Sequence, residues 1–318
     1  VKRTCFDGCV SFLHLAIRAE SDKMQGRGHP ASHHARRGFG SLQKLPRDDW
    51  RPLLPRPMPT LIHLSDPHFG PHHNAHLDEI LLKEIAVLNP AVVIVSGDFT
   101  MRARQREFEQ ARDFLARIGK PMLVIPGNHD LPILTPRDWI ERLTRPYARY
   151  AQSIRADIDS ALDANGLFVL GLNDNHPVLP GGFWSRSQRA WLDEQLARAP
   201  RGAVKTIATH HQFDWQGKWR PAGFWFPTRA SEFLAARGVE LVLNGHTHVP
   251  NVTQTAHGIV VARAGTAASG RTRRGNSNAY NLITIDEKQI AVFVRQYNPQ
   301  ADAFVAARAF TFPRKARP

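Results

Sequence analysis

Aspartate, histidine and asparagine recur along this chain at spacings that suit cation binding. Asp66 stands two residues before His68, and Asp98 follows Gly97. Asn128 and His129 adjoin within Gly127-Asn128-His129-Asp130, His210 and His211 are paired, and His246 and His248 flank Thr247. Carboxylate, imidazole and amide oxygen without any thiolate form a hard to borderline donor set that suits Mn, Fe, Zn or Ni rather than a thiolate-bound structural zinc. Asp66, His68, Asp98, Asn128, His210, His246 and His248 are too many for one ion. Two ions need about that number if they share a carboxylate and each keeps a position open to water. Two ions about 3.5 to 4 Å apart can hold a bridging hydroxide and clamp the oxygens of an in-line phosphoryl displacement. The remaining histidine is then free for proton transfer.

Each cluster ends a short apolar run. Thr60 to Leu64 leads into Asp66 and His68, Val92 to Ser96 into Asp98, and Met122 to Ile125 into Asn128 and His129. Val204 to Ala208 leads into His210 and His211, and Leu241 to Leu243 into His246 and His248. Apolar runs of this length alternating with helical patterns predict a sheet buried on both faces, whose strand carboxyl ends line the ligand crevice. All five clusters are then expected on one rim.

The intervening segments supply the helices. His76 to Leu88 has Leu77, Ile80, Leu81, Ile85 and Leu88 at helical spacing, stopped by Asn89-Pro90. Gln105 to Ile118 repeats the pattern with Phe108, Ala111, Phe114 and Leu115, and Gly119 and Pro121 break it. Two successive right-handed β-α-β crossovers follow from this alternation. Pro136 to Asp163 reads as two helices, Leu167 to Leu172 as a strand and Ser185 to Ala197 as a helix. After His248 the segments 258–264, 279–285, 289–296 and 303–311 read as strands without helices, which predicts a second, mostly antiparallel sheet at the carboxyl end. Two packed sheets with helices outside account for the whole pattern.

With 318 residues, 42% hydrophobic and 22% charged, the chain has the composition of a globular protein, and no apolar run approaches the about 20 residues of a membrane-spanning helix. The net charge of +14 fits nucleic acid, an anionic membrane surface or a phosphate-ester substrate equally well. Both cysteines, Cys5 and Cys9, fall in the first ten residues, so no disulfide framework supports the core and nothing argues for an oxidising compartment. Residues 1–57 lack periodicity, are rich in Arg, His, Gly and Pro, and hold roughly six of the net positive charges. They are expected to be a disordered leader or an over-extended reading, with Met58 the natural start and residues 58–318 the functional domain.

In their order along the chain, Asp66-Pro67-His68, Gly97-Asp98, Gly127-Asn128-His129-Asp130, His210-His211 and Gly245-His246-Thr247-His248 resemble the five blocks of the calcineurin-like metallophosphoesterase superfamily. The resemblance spans about Thr60 to Val249. It implies a four-layer α/β/β/α sandwich with a dinuclear metal centre at strand ends. By the family pattern Asp66, His68, Asp98 and His248 match one metal site, and Asp98, Asn128, His210 and His246 the other, with Asp98 as the bridge. His129 matches the family's catalytic histidine, which contacts the phosphate and assists the leaving group. The fourth block departs from the pattern, Gln212 standing where proline is usual; His210 is favoured over His211 because it ends the apolar run first. The wording around the first and third blocks looks most like the bacterial branch that contains cyclic-nucleotide phosphodiesterases. A cytoplasmic enzyme hydrolysing a small phosphodiester is therefore expected, without nucleic acid as partner.

The stretch Phe213 to Phe226, where Trp215, Lys218 and Arg220 lie among further aromatics, reads either as a loop folded under its own side chains or as a lid whose aromatics contact substrate while Lys218 and Arg220 draw in phosphate. Arg102, just past Asp98, and His176, after another strand end, are further candidates. The Arg271 to Arg274 run reads as a solvated basic turn. A pyrophosphatase acting on a nucleotide-linked lipid precursor is the alternative if the aromatic segment receives acyl chains. A noncatalytic basic module binding nucleic acid is the alternative from another class. The intact ligand set argues against it, because unused clusters of buried charged groups are costly.

Overall fold

The structure, a computed structural model, describes residues 59–213 and 223–314. Its amino-terminal half is the alternation the sequence predicts. Strand β1 (Thr60–Leu64) is followed by helix α1 (Ala75–Leu88), strand β2 (Val92–Ser96), helix α2 (Gln105–Ile118) and strand β3 (Met122–Ile125). Asn74 caps α1 by accepting the His76 N–H at 3.1 Å, and Gly119 ends α2 at φ 61°, a left-handed conformation that costs glycine little. The three strands are parallel, with Leu61 opposite Val92 and Val93 opposite Met122.

Two short helices, α3 (Pro136–Thr144) and α4 (Ala148–Ser153), lead into strands β4 (Ser160–Ala164) and β5 (Leu167–Gly171). Helix α5 (Arg186–Arg198), strand β6 (Val204–Ala208), helix α6 (Pro227–Ala235) and strand β7 (Val239–Asn244) follow. The chain ends in strands β8 (Asn251–Gln254), β9 (Val260–Arg263), β10 (Ala279–Ile285), β11 (Gln289–Asn298) and β12 (Ala303–Pro313). These make two six-stranded mixed sheets, in the orders β12-β11-β10-β1-β2-β3 and β4-β5-β6-β7-β9-β8.

Side-chain alternation along the strands explains why the sheets stack. Leu61, Val92, Ile94, Leu123 and Ile283 of the first sheet share one buried cluster with Val169, Val204, Leu241 and Leu243 of the second. Their neighbours in sequence, Ile62, Leu64, Val93 and Val95, face the other way and pack with Leu77, Leu81, Phe108 and Phe114 of α1 and α2. Phe168, Leu170 and Val242 likewise meet Leu192, Leu196 and Leu234 of α5 and α6. Each such side chain contributes about 1.5–3 kcal/mol by leaving water. The result is the expected sandwich of helix, sheet, sheet and helix layers.

Three sequence expectations need correction. The five motif-bearing strands do not share one sheet, since β1, β2 and β3 lie in the first and β6 and β7 in the second. The carboxyl-terminal strands do not form a sheet of their own either: β10 pairs antiparallel with β1 and extends the first sheet, while β8 and β9 join the second. Nor does the helical pattern run to Asp163. Ser160–Ala164 is a strand paired antiparallel with β5 across Asn165-Gly166, whose φ values of 49° and 83° are those of a tight hairpin turn. Asn-Gly between two β-prone runs is the strongest short-range hairpin signal, and it outranks the helical spacing upstream. Helix α6 and strand β8 answer to no sequence expectation. The expected leader and residues 214–222 of the aromatic segment, which include Trp215, Lys218 and Arg220, lie outside the described residues, while Phe213 and Phe224 at its two ends are buried against Trp184. Among the described residues no helix is long and apolar enough to cross a membrane.

Candidate metal centre

The loops leaving the strand ends take an uncommon backbone form. Asp66, His68, Asp98, His246 and His248 all have positive φ, at 51°, 47°, 54°, 69° and 58°. A non-glycine residue in that region costs of order 1–3 kcal/mol and persists only where the surroundings enforce it. Glycines make room for the crowding. A Cβ on Gly127 would stand 2.2 Å from the Asp98 backbone nitrogen, and one on Gly245 would stand 1.8 Å from Ser65 Oγ and 2.4 Å from Asp66 Oδ2.

The turns bring the candidate ligands into two groups, the first buried and the second partly open at Asn128 and His246. In the first, His68 Nε2 lies 3.0 Å from His248 Nε2, and Asp66 Oδ1 lies 3.3 Å from His248 Nε2 and 3.8 Å from His68 Nε2. In the second, His210 Nε2 lies 3.4 Å from Asp98 Oδ1, 3.1 Å from Asn128 Oδ1 and 3.2 Å from His246 Nδ1. Asn128 Oδ1 is 3.0 Å from His246 Nδ1. Asp98 reaches both groups, for its Oδ2 is 3.6 Å from His68 Nε2 while its Oδ1 faces His210.

The proton inventory shows what these atoms lack. His68 Nδ1 faces the Thr100 carbonyl at 3.2 Å, His248 Nδ1 the Arg271 carbonyl and His210 Nδ1 the Ser96 carbonyl, so each Nδ1 donates and each Nε2 turns its lone pair inward. Asp66 Oδ1 is buried with no hydrogen-bond partner. Lone pairs thus converge on lone pairs in both groups, a costly arrangement unless something positive sits among them. In the metal-free chain the neighbouring carboxylates favour a proton there. Burial opposes the charge on His210, but Asp98 raises its pKa to about 10 through its charge and hydrogen bond. Burial also opposes His248, which Asp66 raises in the same way, while burial lowers His68 to about 4. Each group could hold a cation among these converging donors.

A further set of groups holds the ligands in place. Asp66 Oδ2 accepts from Ser65 Oγ at 2.6 Å and from the His246 N–H at 2.9 Å, which aims Oδ1 at the first group. Behind Ser65 runs a buried chain in which Ser96 Oγ donates to Ser65 Oγ and His63 Nε2 to Ser96 Oγ, each at 2.9 Å. Burial lowers His63 to about 3 and keeps it neutral. Asp130 accepts from the N–H groups of Gly127, Phe99 and Thr100 and from Thr100 Oγ1, tying the ends of β2 and β3 together. Burial and the charge of Asp98 push Asp130 up to about 7. Asp174 accepts from the His210 and His211 N–H groups and from His211 Nδ1 at 3.2 Å. His211 therefore pairs with Asp174, and His210 stands in the second group.

His129 lies beside both groups and in neither. Its ring is edge-on to His68 with centroids 4.9 Å apart, its N–H donates to Asp98 Oδ1 at 2.8 Å, and its Nδ1 donates to the Met101 carbonyl at 2.9 Å. Nε2 is left facing the Arg271 guanidinium at 3.4 Å. That contact corrects the reading of Arg271 as part of a solvated turn. His176 accepts the Val178 and Leu179 N–H groups on Nδ1 and braces its own turn, with no contact to either group. Arg102 is exposed, and its N–H donates to Glu107 at 2.7 Å. Asp174 escaped the sequence reading although Asn173-Asp174-Asn175 follows an apolar strand just as the motif residues do.

A two-sheet sandwich with two acceptor groups joined by one carboxylate at its strand ends defines a class of metal-dependent phosphoesterases. Residues 59–250 match the family model for calcineurin-like phosphoesterase, and the chain belongs to that family, which is dinuclear and metal-dependent. It is similar to a glycerophosphodiester phosphodiesterase, GpdQ, of Enterobacter lignolyticus, at 29% identity over 44% of this chain and 52% of that protein. It is also similar to a probable cyclic nucleotide phosphodiesterase of Rhodococcus erythropolis, at 26% identity over 74% of this chain and 83% of the relative. The chain spans only about half the length of the first of these relatives and of two further curated phosphodiesterases that it matches. The fold also matches a dimetal phosphatase from Danio rerio, at 14% identity and a TM-score of 0.55 over 81% of this chain and 99% of that one.

Proposed function

We propose that the chain is a dinuclear metal-dependent hydrolase of phosphodiesters. The observation that supports this best is the pair of lone-pair clusters joined through Asp98, whose two carboxylate oxygens face different groups. Asp66, His68 and His248 would hold one ion, Asn128, His210 and His246 the other, and Asp98 both. Two such ions supply Lewis acidity, neutralising charge on the phosphate oxygens and acidifying water. The oxygen and nitrogen donors suit Mn, Fe, Zn or Ni.

The chain's own groups divide the remaining work. Asp66 is aimed by Ser65 and His246, and Asp130 and Asp174 fix the loops that present Asp98, Asn128 and His210. His129, anchored through Nδ1 on Met101, presents Nε2 as the group that manages the proton of the leaving oxygen. A diester rather than a monoester fits the phosphodiesterase names of the two relatives.

The test is a metal-reconstituted assay. Chain stripped with chelator and reloaded with Mn, Fe, Zn or Ni is offered bis(p-nitrophenyl) phosphate, a cyclic nucleotide, a glycerophosphodiester and p-nitrophenyl phosphate. Metal-dependent turnover of at least one diester above the monoester is expected. Failure with every metal, or fewer than two ions bound per chain at saturation, would refute the reading.

A further inference from the structure

Arg271 occupies an unusual position for a cation. Its carbonyl accepts from His248 Nδ1, so its backbone is rooted at the first ligand group. Its side chain then crosses to His129, with one guanidinium nitrogen 3.4 Å from His129 Nε2 and 3.5 Å from Met101 Sδ. His129 in turn stands 4.9 Å from His68 between ring centroids, so one imidazole separates the guanidinium from the first group. A guanidinium has five N–H donors and no acceptor. Among the described residues no carboxylate pairs with Arg271, and its contacts with a thioether and an imidazole use only part of that capacity.

The side chain is also half-buried, which is costly for a charge without a counterion. Arg273 and Arg102 add positive charge nearby, and Asp98 and Asp66 supply negative charge. Those two carboxylates are the ones that two divalent ions would neutralise, leaving the guanidinium among cations. An anion between Arg271, His129 and the two groups relieves all of these terms together.

We propose that Arg271 is a substrate-binding residue whose guanidinium holds a phosphoryl oxygen beside His129, with Arg102 and Arg273 drawing the anion to the rim. The proposal rests on the phosphoesterase reading and adds the group that positions the ester. It also assigns a role to the contact with His129. In the free chain Arg271 donates to His129 Nε2, and a phosphate oxygen entering between them takes over that donor and frees Nε2 to take up from water the proton that it passes to the leaving oxygen. The side chain must therefore supply both charge and a planar fork, which lysine replaces only in part.

The experiment uses the metal-loaded full chain and inorganic phosphate as the probe. Phosphate affinity is measured by calorimetry, KM and kcat with bis(p-nitrophenyl) phosphate, and metal content by elemental analysis. Arg271→Gln is expected to weaken phosphate and raise KM by about 10- to 100-fold, the range for a charge-assisted hydrogen bond, with both ions retained. Arg271→Lys should recover part of that loss. Arg274→Gln, at an exposed position in the same turn, should bind phosphate as the unaltered chain does. Unchanged phosphate affinity in Arg271→Gln overturns the proposal. So does loss of an ion, which would make Arg271 only the support of His248. If the glutamine variant does not fold, the lysine variant decides alone, since phosphate affinity equal to that of the unaltered chain would show that the fork is not used. An unaltered chain that binds two ions and phosphate but cleaves no diester refutes the functional reading and leaves the role of Arg271 standing.

Discussion

Replacing Asp98 by asparagine tests the shared carboxylate with almost no change of shape. Oδ1 accepts the His129 N–H at 2.8 Å and faces His210 Nε2 at 3.4 Å, while Oδ2 faces His68 Nε2 at 3.6 Å. An amide can keep only one of these oxygens. If the oxygen stays toward His129, the NH₂ group turns to the first group and opposes a cation there. If the amide flips, two donors meet at the His129 N–H and the second group loses its oxygen. The negative charge is lost to both ions in either orientation. Interactions with an ionised partner contribute about 1.5–3 kcal/mol, so the ion that keeps its oxygen should bind about 10- to 100-fold more weakly, and the other more weakly still. Elemental analysis after gel filtration in low-micromolar Mn should fall from two ions per chain to one or none. Turnover should drop by at least about 10², since both ions act on the same phosphate. Two ions bound at unaltered affinity with near-normal turnover would show that Asp98 does not join the groups.

The other expectations use different handles. In the metal-free chain the folded pKa of His210, about 10, lies above the unfolded value of 6.5, so its stabilisation is full below 6.5 and is lost as pH rises toward 10. A cation on Nε2 displaces that proton, so metal affinity should strengthen about tenfold per pH unit across the same window; calorimetric titrations at about pH 7 and about pH 9 that agree would remove His210 from the ligand set. Gly245→Ala forces a Cβ to within 2.4 Å of Asp66 Oδ2. It should cost about 1–3 kcal/mol in thermal unfolding and weaken the first ion about 10- to 100-fold, and an unaffected metal titration would contradict the position given to Asp66. His129→Ala should keep both ions and lower turnover by about 10² to 10⁴ with alkyl leaving groups but visibly less with a nitrophenolate, which needs little protonation. Equal losses for both leaving groups would make His129 a positioning residue, and loss of metal would place it among the ligands.

What was legible in the sequence divides along a physical line. Residues that end an apolar strand are tied to their neighbours in sequence, so Asp66, Asp98, Asn128, His210 and His246 could be picked out as candidates from short stretches, and the structure brings them together. The helices α1 and α2 were legible for the same reason, because apolar spacing and stop signals are local. Contacts across the sandwich were not. Nothing in the run Arg271 to Arg274 says that its first carbonyl caps His248 and that its first side chain reaches His129, 142 positions earlier. Nor does Asn281, on β10, announce that it meets His63 at the far end of the chain that aims Asp66.

The assumption of a single sheet failed for the same reason, yet the expected rim survived it. The inner faces of the two sheets share one cluster, in which Ile94 and Ile125 near the ends of β2 and β3 join Ala208 and Leu243 near the ends of β6 and β7. That packing sets the two rows of carboxyl ends side by side. The Asp98 N–Cβ contact that Gly127 avoids, and the Ser96 carbonyl that His210 reaches across the sheets at 2.8 Å, then fix how far apart the two ligand groups can be. A dinuclear site in this fold is therefore a property of inter-sheet packing as much as of its ligands. Slipping one sheet against the other would leave every motif intact in sequence and leave Asp98 facing one group alone.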